Sequence, residues 1–258
     1  ILVAILLAGF LFGVLIGPSL TDFLSSLPDY QERLSAHIAT FISWLREKGV
    51  NIPKEEVPGI FNPGWVMSLA GRILSALSSI LTDALLILLT VVFILLEAAD
   101  FPKKLKAVLK NPERSLSTIE TFSQDAKRYL VIKTLISAAT GLTIWLWLLI
   151  LGVDYPVLWG TLAFLLNYVP NIGSIIAALP AVLLVFIQLG VGYALLATLG
   201  FVVVNTVIGN LIEPKLMGKG LNLSPLVVFL SMVFWGWVLG PIGMIISVPM
   251  TSLVKIAL

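Results

Sequence analysis

The chain has 258 residues, of which 59% are hydrophobic and 12% charged, with a net charge of +2 and a mean hydropathy of +1.05. A soluble domain is typically about 25% charged, so this composition excludes an ordinary soluble fold. It predicts an all-α, polytopic transmembrane helical protein. The chain has no cysteine and one histidine, His37, which excludes a disulfide framework and paired-histidine zinc motifs. We expect no metal, no cofactor and no nucleic-acid partner.

The first apolar run, residues 1–20, is long enough to span a hydrocarbon core of about 30 Å. It lacks the charged start and cleavage site of a signal peptide, so we interpret it as a transmembrane span. We expect Gly17-Pro18 to end the run and the natural chain to begin before residue 1.

Residues 21–72 carry much of the acidic charge and are predicted to be an extracytoplasmic, amphipathic helical region. Asp29 is a plausible N-cap for a helix in this region. Its apolar face is expected to hold residues at helical spacing, namely Leu34, Ile38, Phe41 and Leu45. Two interpretations stay open: the helix lies on the membrane or a neighbouring subunit, or it belongs to a small solvated hairpin.

Residues 73–98 form the next predicted transmembrane span, which contains a single acid, Asp83. The following segment, residues 99–128, is rich in lysine and arginine. The positive-inside rule makes it a basic, helical cytoplasmic loop and places residues 21–72 on the outer side. Asn111-Pro112 predicts the start of a helix within this loop.

Residues 129–190 and 191–258 share one organisation, an apolar span followed by a segment that Gly and Pro interrupt. We predict two re-entrant hairpins, one entering from outside and one from inside, so that the two units form an inverted repeat. Four ordinary spans are the alternative. The hairpin or gating residues, in matching order, are Pro170, Gly173 and Pro180, then Pro241, Gly243 and Pro249.

Polar side chains in this apolar setting are the candidates for solute or ion binding, because intramembrane ionisable groups are costly and mark functional sites by default. The alternatives are amides that only link helices and acids that face water or pair at the interface, Glu213 with Lys215 or Lys219. The candidates are Asn167, Asn171, Asn205, Asn210, Glu213 and Asp83.

Nearly the whole chain, and most specifically its second half, resembles the autoinducer-2 exporter (AI-2E) family of bacterial and archaeal membrane proteins. The motif residues that carry the resemblance include Glu213, Pro214, Gly218 and Pro225, along with Pro170-Asn-Ile-Gly173 and Gly240-Pro-Ile-Gly243. The resemblance implies an oligomeric permease of the cytoplasmic membrane whose N-terminal segments precede residue 1. It also implies export of a small signal molecule, or sodium/proton antiport.

Two functional hypotheses follow from these observations. The first is a secondary transporter that works by alternating access and moves a small polar solute, with Na⁺ or H⁺ as a coupling ion. The sequence contains no ATPase motif that would supply energy otherwise. The second is a non-transporting membrane scaffold that binds partners through residues 21–72. Neither is an enzyme.

Overall fold

In the computed structural model every regular element among the described residues is helical, as predicted. The described residues are 2–49, 64, 68, 69, 71, 72, 74, 75, 112–170, 172–217 and 224–257. The helices are α1 (Leu2–Glu47), α2 (Pro112–Ile150), α3 (Pro156–Leu166), α4 (Ile172–Leu189), α5 (Val191–Val204), a π-helical segment (Asn205–Ile212), α6 (Glu213–Met217) and α7 (Pro225–Ala257).

Three stretches of the described helices are long and apolar enough to cross a membrane: Ala126–Ile150, Ile172–Leu189 and Val191–Leu216. Two shorter apolar helices, Pro156–Leu166 and Leu226–Gly240, accompany them. Pro112, the predicted first helical position, lies in α2, whereas the predicted N-cap Asn111 lies outside the described residues. Most of the predicted span at 73–98, including Asp83, lies outside the described residues.

α1 is one continuous helix of 46 residues with Pro18 and Pro28 inside it. The prediction that Asp29 caps a new helix is therefore wrong, and Gly17-Pro18, expected to end the apolar run, does not end the helix. An internal proline costs about 3 kcal/mol because it removes a backbone hydrogen bond and crowds the preceding turn. Burial of apolar side chains offsets this cost, since Phe23 and Leu34 are 2% and 4% exposed.

The second half of α1 packs against its own chain, an outcome that neither open interpretation foresaw. The ring of Phe23 meets that of Trp159 edge-on at 5.2 Å, and Tyr30 Oη donates to Asp154 Oδ2 at 2.8 Å. Burial, and then the hydrogen bond to the carboxylate, raise the pKa of Tyr30. His37 Nε2 lies 3.2 Å from the carbonyl oxygen of Ile187. α1 is thereby fixed to the open end of the α3–α4 pair.

α3 and α4 fold back on each other through a turn that includes residues 167–170, and this unit is called the first hairpin. It packs closely on α2, because a Cβ at Gly141 would lie 2.6 Å from the carbonyl oxygen of Gly160. Only small residues permit such an approach of two helix backbones. α3 has 11 residues, about 16 Å, whereas α4 has 18 residues, about 27 Å. The length argument for a re-entrant hairpin therefore holds for α3 but not for α4.

α7 contains the second hairpin, which turns at Gly240 with φ 66° and ψ −151°. Its arms are held together by Ser231 Oγ, which donates to the carbonyl oxygen of Ser247 at 2.8 Å, and by Trp235 Nε1, which donates to Thr251 Oγ1 at 3.0 Å. The sequence placed the break at Pro241 and Gly243. The structure places it at Gly240, because that backbone conformation is open to glycine and strained for other residues.

Candidate functional site

A row of buried polar side chains lies along one face of α2, within its apolar stretch. Lys133, Ser137 and Thr140 are 4%, 0% and 7% exposed. Their spacing of four and three residues places them on the same side of the helix. This polar row faces the first hairpin, the π-helical segment and α6, so it is where the polar groups of several elements meet.

Lys133 Nζ donates to Glu213 Oε1 at 2.6 Å, and the two side chains are 5% and 18% exposed. The sequence identified Glu213 but considered Lys215 and Lys219 as its interfacial partners. Lys215 is exposed, and Lys219 lies outside the described residues. Lys133 itself was missed, although a lysine inside an apolar stretch is a signal of the same kind as an acid.

The turn of the first hairpin is bonded to the polar row. Asn167 is 7% exposed and its Nδ2 donates to Ser137 Oγ at 3.0 Å. Beside it, Tyr168 Oη donates to Thr134 Oγ1 at 2.7 Å. The predicted candidate Asn167 therefore lies against the polar row, since it is buried there and bonds Ser137.

The other predicted amides divide into three cases. Asn205 is half-buried at the start of the π-helical segment and faces the region between α2, α4 and α5. Asn210 is exposed, and the structure does not bring it close to the polar row. Asn171, like Asp83, lies outside the described residues.

The π-helical segment, Asn205–Ile212, connects Asn205 to Glu213. Glu213 N–H donates to the carbonyl oxygen of Ile208, five residues earlier, which is the π-helical pattern. Such wide turns are rare in proteins, and where they do occur they often lie at functional sites. No feature of the sequence predicts this segment, since its residues suit an ordinary helix.

An open, mostly apolar groove of about 560 Å³ runs between α4 and α5. Among its lining residues the polar ones are Ser174, Thr198 and Asn205. Thr198 Oγ1 is already bonded to the carbonyl oxygen of Ala194 at 2.8 Å. The groove therefore has its polar groups at the end where Ser174 and Asn205 approach the polar row.

Some of the predicted hairpin residues lie at the turns and others within the helical arms. Pro170 is in the first turn, and Gly173 is buried in the first turn of α4. Pro180 is buried inside α4 and does not break it. Pro249 is buried in the second arm of α7.

Searched over its described residues, the structure contains no group of three or more His, Cys, Asp or Glu that could hold a metal ion.

Comparison with known proteins decides the family. The model of the family described as "AI-2E family transporter" matches residues 1–258. The chain belongs to the AI-2E transporter family. It is 40% identical over 243 residues to "AI-2 transport protein TqsA" of Escherichia coli (strain K12), which covers 94% of this chain and 71% of that protein. It is 38% identical over 246 residues to "Putative transport protein YhhT" of the same organism, covering 95% and 70%.

The AI-2E resemblance is thus confirmed, as is the expectation of a transport family rather than an enzyme family. Membership and the apolar helices together make this chain a multi-pass membrane protein of transporter type. Of its family-motif residues, Glu213 pairs with Lys133 and Pro214 follows it in α6, whereas Gly218 lies outside the described residues. Pro225 is the first residue of α7.

Proposed function

We propose that this AI-2E family member is a secondary transporter that moves a small polar signal molecule or ion across the cytoplasmic membrane by alternating access. The observation that carries the proposal is the buried ion pair of Lys133 and Glu213. It joins α2 to α6, next to the point where Asn167 at the hairpin turn bonds Ser137. Charges at membrane depth are expensive, so a paired set of them between elements that can move relative to each other suits a transport site.

The site we propose combines this ion pair with Asn167, Asn205 and Asn171. Binding of a solute or ion that competes for Glu213 or Lys133 would weaken the link between α2 and α6. The hydrogen bond between Asn167 and Ser137 would then transmit this change from α2 to the first hairpin. We propose Na⁺ or H⁺ as the coupling ion and a homo-oligomer as the assembly, both as expectations from the family resemblance.

A cation antiporter is the second candidate, and the observation that favours it is the same carboxylate. A proton or Na⁺ at Glu213 would compete directly with Lys133 Nζ, which lies 2.6 Å from Oε1. The scaffold hypothesis is less well supported, because much of the apolar face of α1 is buried against the first hairpin. Tyr30 and Leu34 are 5% and 4% exposed, so this part of the face offers little surface to a partner.

Transport by the purified protein in sealed liposomes tests the proposal. We expect solute flux that saturates with solute concentration and responds to an imposed Na⁺ or H⁺ gradient. Flux that stays linear to high concentration would indicate a channel. No flux of any small solute or cation above that of protein-free liposomes would favour the scaffold.

We further propose that the first hairpin is re-entrant. What supports this is the position of its turn, which bonds Thr134 and Ser137 inside the apolar stretch Ala126–Ile150 and not beyond either end. These residues are 16 and 13 positions before Ile150, which is about 24 and 20 Å along α2. The alternative of two full spans would bring the turn to the far surface.

Single cysteines in this cysteine-free chain test the depth of both turns. Ile172→Cys and Leu239→Cys replace side chains that are 37% and 44% exposed. We expect both to react slowly with charged, membrane-impermeant maleimides from either side, because we propose that both turns lie within the hydrocarbon core. Lys215→Cys, at an exposed position, is the control and should react rapidly from the cytoplasmic side only. Rapid cytoplasmic labelling of Ile172→Cys would contradict the re-entrant hairpin.

A further inference from the structure

A second, smaller and partly open cavity lies beside the polar row, lined by α2, α3, α4, α5 and the start of the π-helical segment. Its volume is about 10 Å³, which is close to the smallest space that holds one water molecule. Most of its walls are apolar. Its polar side chains are Thr140, Ser174 and Asn205, and this space is called the polar pocket.

Among the side chains that line the polar pocket, Thr140 indicates most clearly what kind of group the pocket binds. It is 7% exposed, so more than nine-tenths of it is buried. The hydroxyls of Thr134, Thr143 and Thr198 donate to the carbonyl four residues earlier, whereas among the described residues the Thr140 hydroxyl has no such partner. Among the described residues no buried side-chain polar atom lacks a hydrogen-bond partner, so the Thr140 hydroxyl, which has none, is open to the space of the pocket and available to a polar group there.

The occupant of the polar pocket is expected to be neutral. The walls contain no carboxylate and no cationic side chain, and they offer only hydroxyl and amide groups. An ion placed there would lose its hydration without gaining a counter-charge, which is unfavourable in a buried site. A hydroxyl group or a water molecule suits these walls, since it both donates and accepts.

The polar pocket and the groove between α4 and α5 share three wall residues, Ser174, Phe201 and Asn205. The two spaces therefore adjoin at one boundary. An apolar cleft of 300–1,000 Å³ with a few convergent polar groups is the usual form of a small-molecule site, and the groove of about 560 Å³ lies in that range.

We propose that the groove and the polar pocket together bind a neutral, amphipathic solute that carries a hydroxyl group. The hydroxyl occupies the polar pocket and bonds Thr140 and Asn205, while the apolar body of the solute lies along α4 and α5. A single water molecule fills the pocket when no solute is bound. The inference rests on the proposed function and narrows its solute to a small molecule with a polar hydroxyl end and an apolar body, which excludes an ion at this position.

Photolabelling with an octanol that carries a diazirine tests the binding site on the protein in liposomes. We expect saturable labelling of groove residues, mapped by mass spectrometry and competed by 1-octanol. The matched octane diazirine, which lacks the hydroxyl, should label the groove without saturation. Thr140→Val keeps the shape but removes the hydroxyl, and should lower saturable labelling roughly five- to tenfold, the effect of one lost hydrogen bond.

Three variants control this result. Thr140→Ser keeps the hydroxyl and should retain labelling. Thr143→Val removes an exposed hydroxyl of α2 that already bonds the carbonyl of Ala139, and should change nothing. Asn205→Leu should reduce labelling as Thr140→Val does, which keeps the test valid if one variant folds poorly.

Each remaining outcome overturns the proposal. Equal labelling by both probes would mean that the groove is only a lipid-facing surface. Labelling in detergent monomers but not in liposomes would mean that a second copy of the chain covers it. Unchanged saturable labelling in both Thr140→Val and Asn205→Leu would leave the pocket as a water site alone. None of these results depends on flux, so transport through the Lys133–Glu213 site is judged separately.

Discussion

Replacement of Lys133 by methionine is expected to lower the free energy of unfolding by about 3 kcal/mol, because it leaves the Glu213 carboxylate without a partner in a largely buried position. The reverse change, Glu213→Gln, should destabilise the protein comparably, since it strands the Lys133 ammonium, which is 4% exposed. Either variant alone therefore mixes a loss of stability with a loss of transport. Thermal unfolding in detergent measures the first effect and flux in liposomes the second.

The double variant Lys133→Met/Glu213→Met separates the two effects. Well-packed apolar residues often replace a buried ion pair without loss of stability, so the double variant should regain most of the stability that either single change removes. Transport should stay at least tenfold below that of the unmodified protein if the pair takes part in coupling. Lys215→Ala, an exposed position in α6, is the control and should leave both measurements near their starting values.

Normal transport by the stable double variant would contradict the role proposed for the ion pair, and would make it a structural link between α2 and α6. If the double variant stays unstable, the loss of stability comes from poor packing at these positions and not from an unpaired charge. Transport relative to the amount of folded protein then decides whether the pair acts in coupling.

The sequence was sufficient to find Glu213 but not its partner. An acid next to Pro214, at the end of the uncharged run of residues 155–212, is visible in the local pattern. Its pairing with Lys133 joins residues 80 positions apart, and no local rule predicts which of several lysines will reach it. The same limit applies to the polar pocket, because the burial of Thr140 depends on how α3 and α4 pack over α2.

How well proline and glycine predicted a break in a helix depended on how the surrounding residues pack. Pro18 and Pro28 are strong signals for a helix end, yet α1 continues through both, since its buried face packs against the first hairpin. At the second hairpin the cluster of Gly and Pro located the break to within three residues. The choice of Gly240 depends on which residue takes a positive φ, and several glycines nearby were equally suited.

The two hairpins share a close contact that makes them testable as structural equivalents. A Cβ at Gly173 would lie 1.8 Å from the carbonyl oxygen of Leu166, and a Cβ at Gly243 would lie 1.9 Å from that of Trp235. In both cases the obstacle is backbone of the preceding arm, which does not move aside as a flexible side chain does. The second arm can approach the first so closely only because each position is glycine.

We therefore expect Gly173→Ala and Gly243→Ala each to destabilise the protein by about 1–3 kcal/mol, the usual cost of forced overpacking, and to reduce flux by about tenfold or more. The flux loss should exceed what the folded fraction explains, because the added methyl group separates the arms at the turns that we propose as gates. Unfolding curves and liposome flux, normalised to folded protein, provide the measurement.

Gly192→Ala, in α5, is the matched control, since nothing lies within 4 Å of a Cβ there. It should be neutral or slightly stabilising, as alanine favours a helix over glycine by about 1 kcal/mol. If the inverted repeat is real, the two hairpin variants should impair transport to a similar extent, because each turn closes the same site from one side. A severe loss in Gly173→Ala beside normal flux in Gly243→Ala would mean that only the first hairpin gates the site, and alternating access by a repeat pair would have to be abandoned.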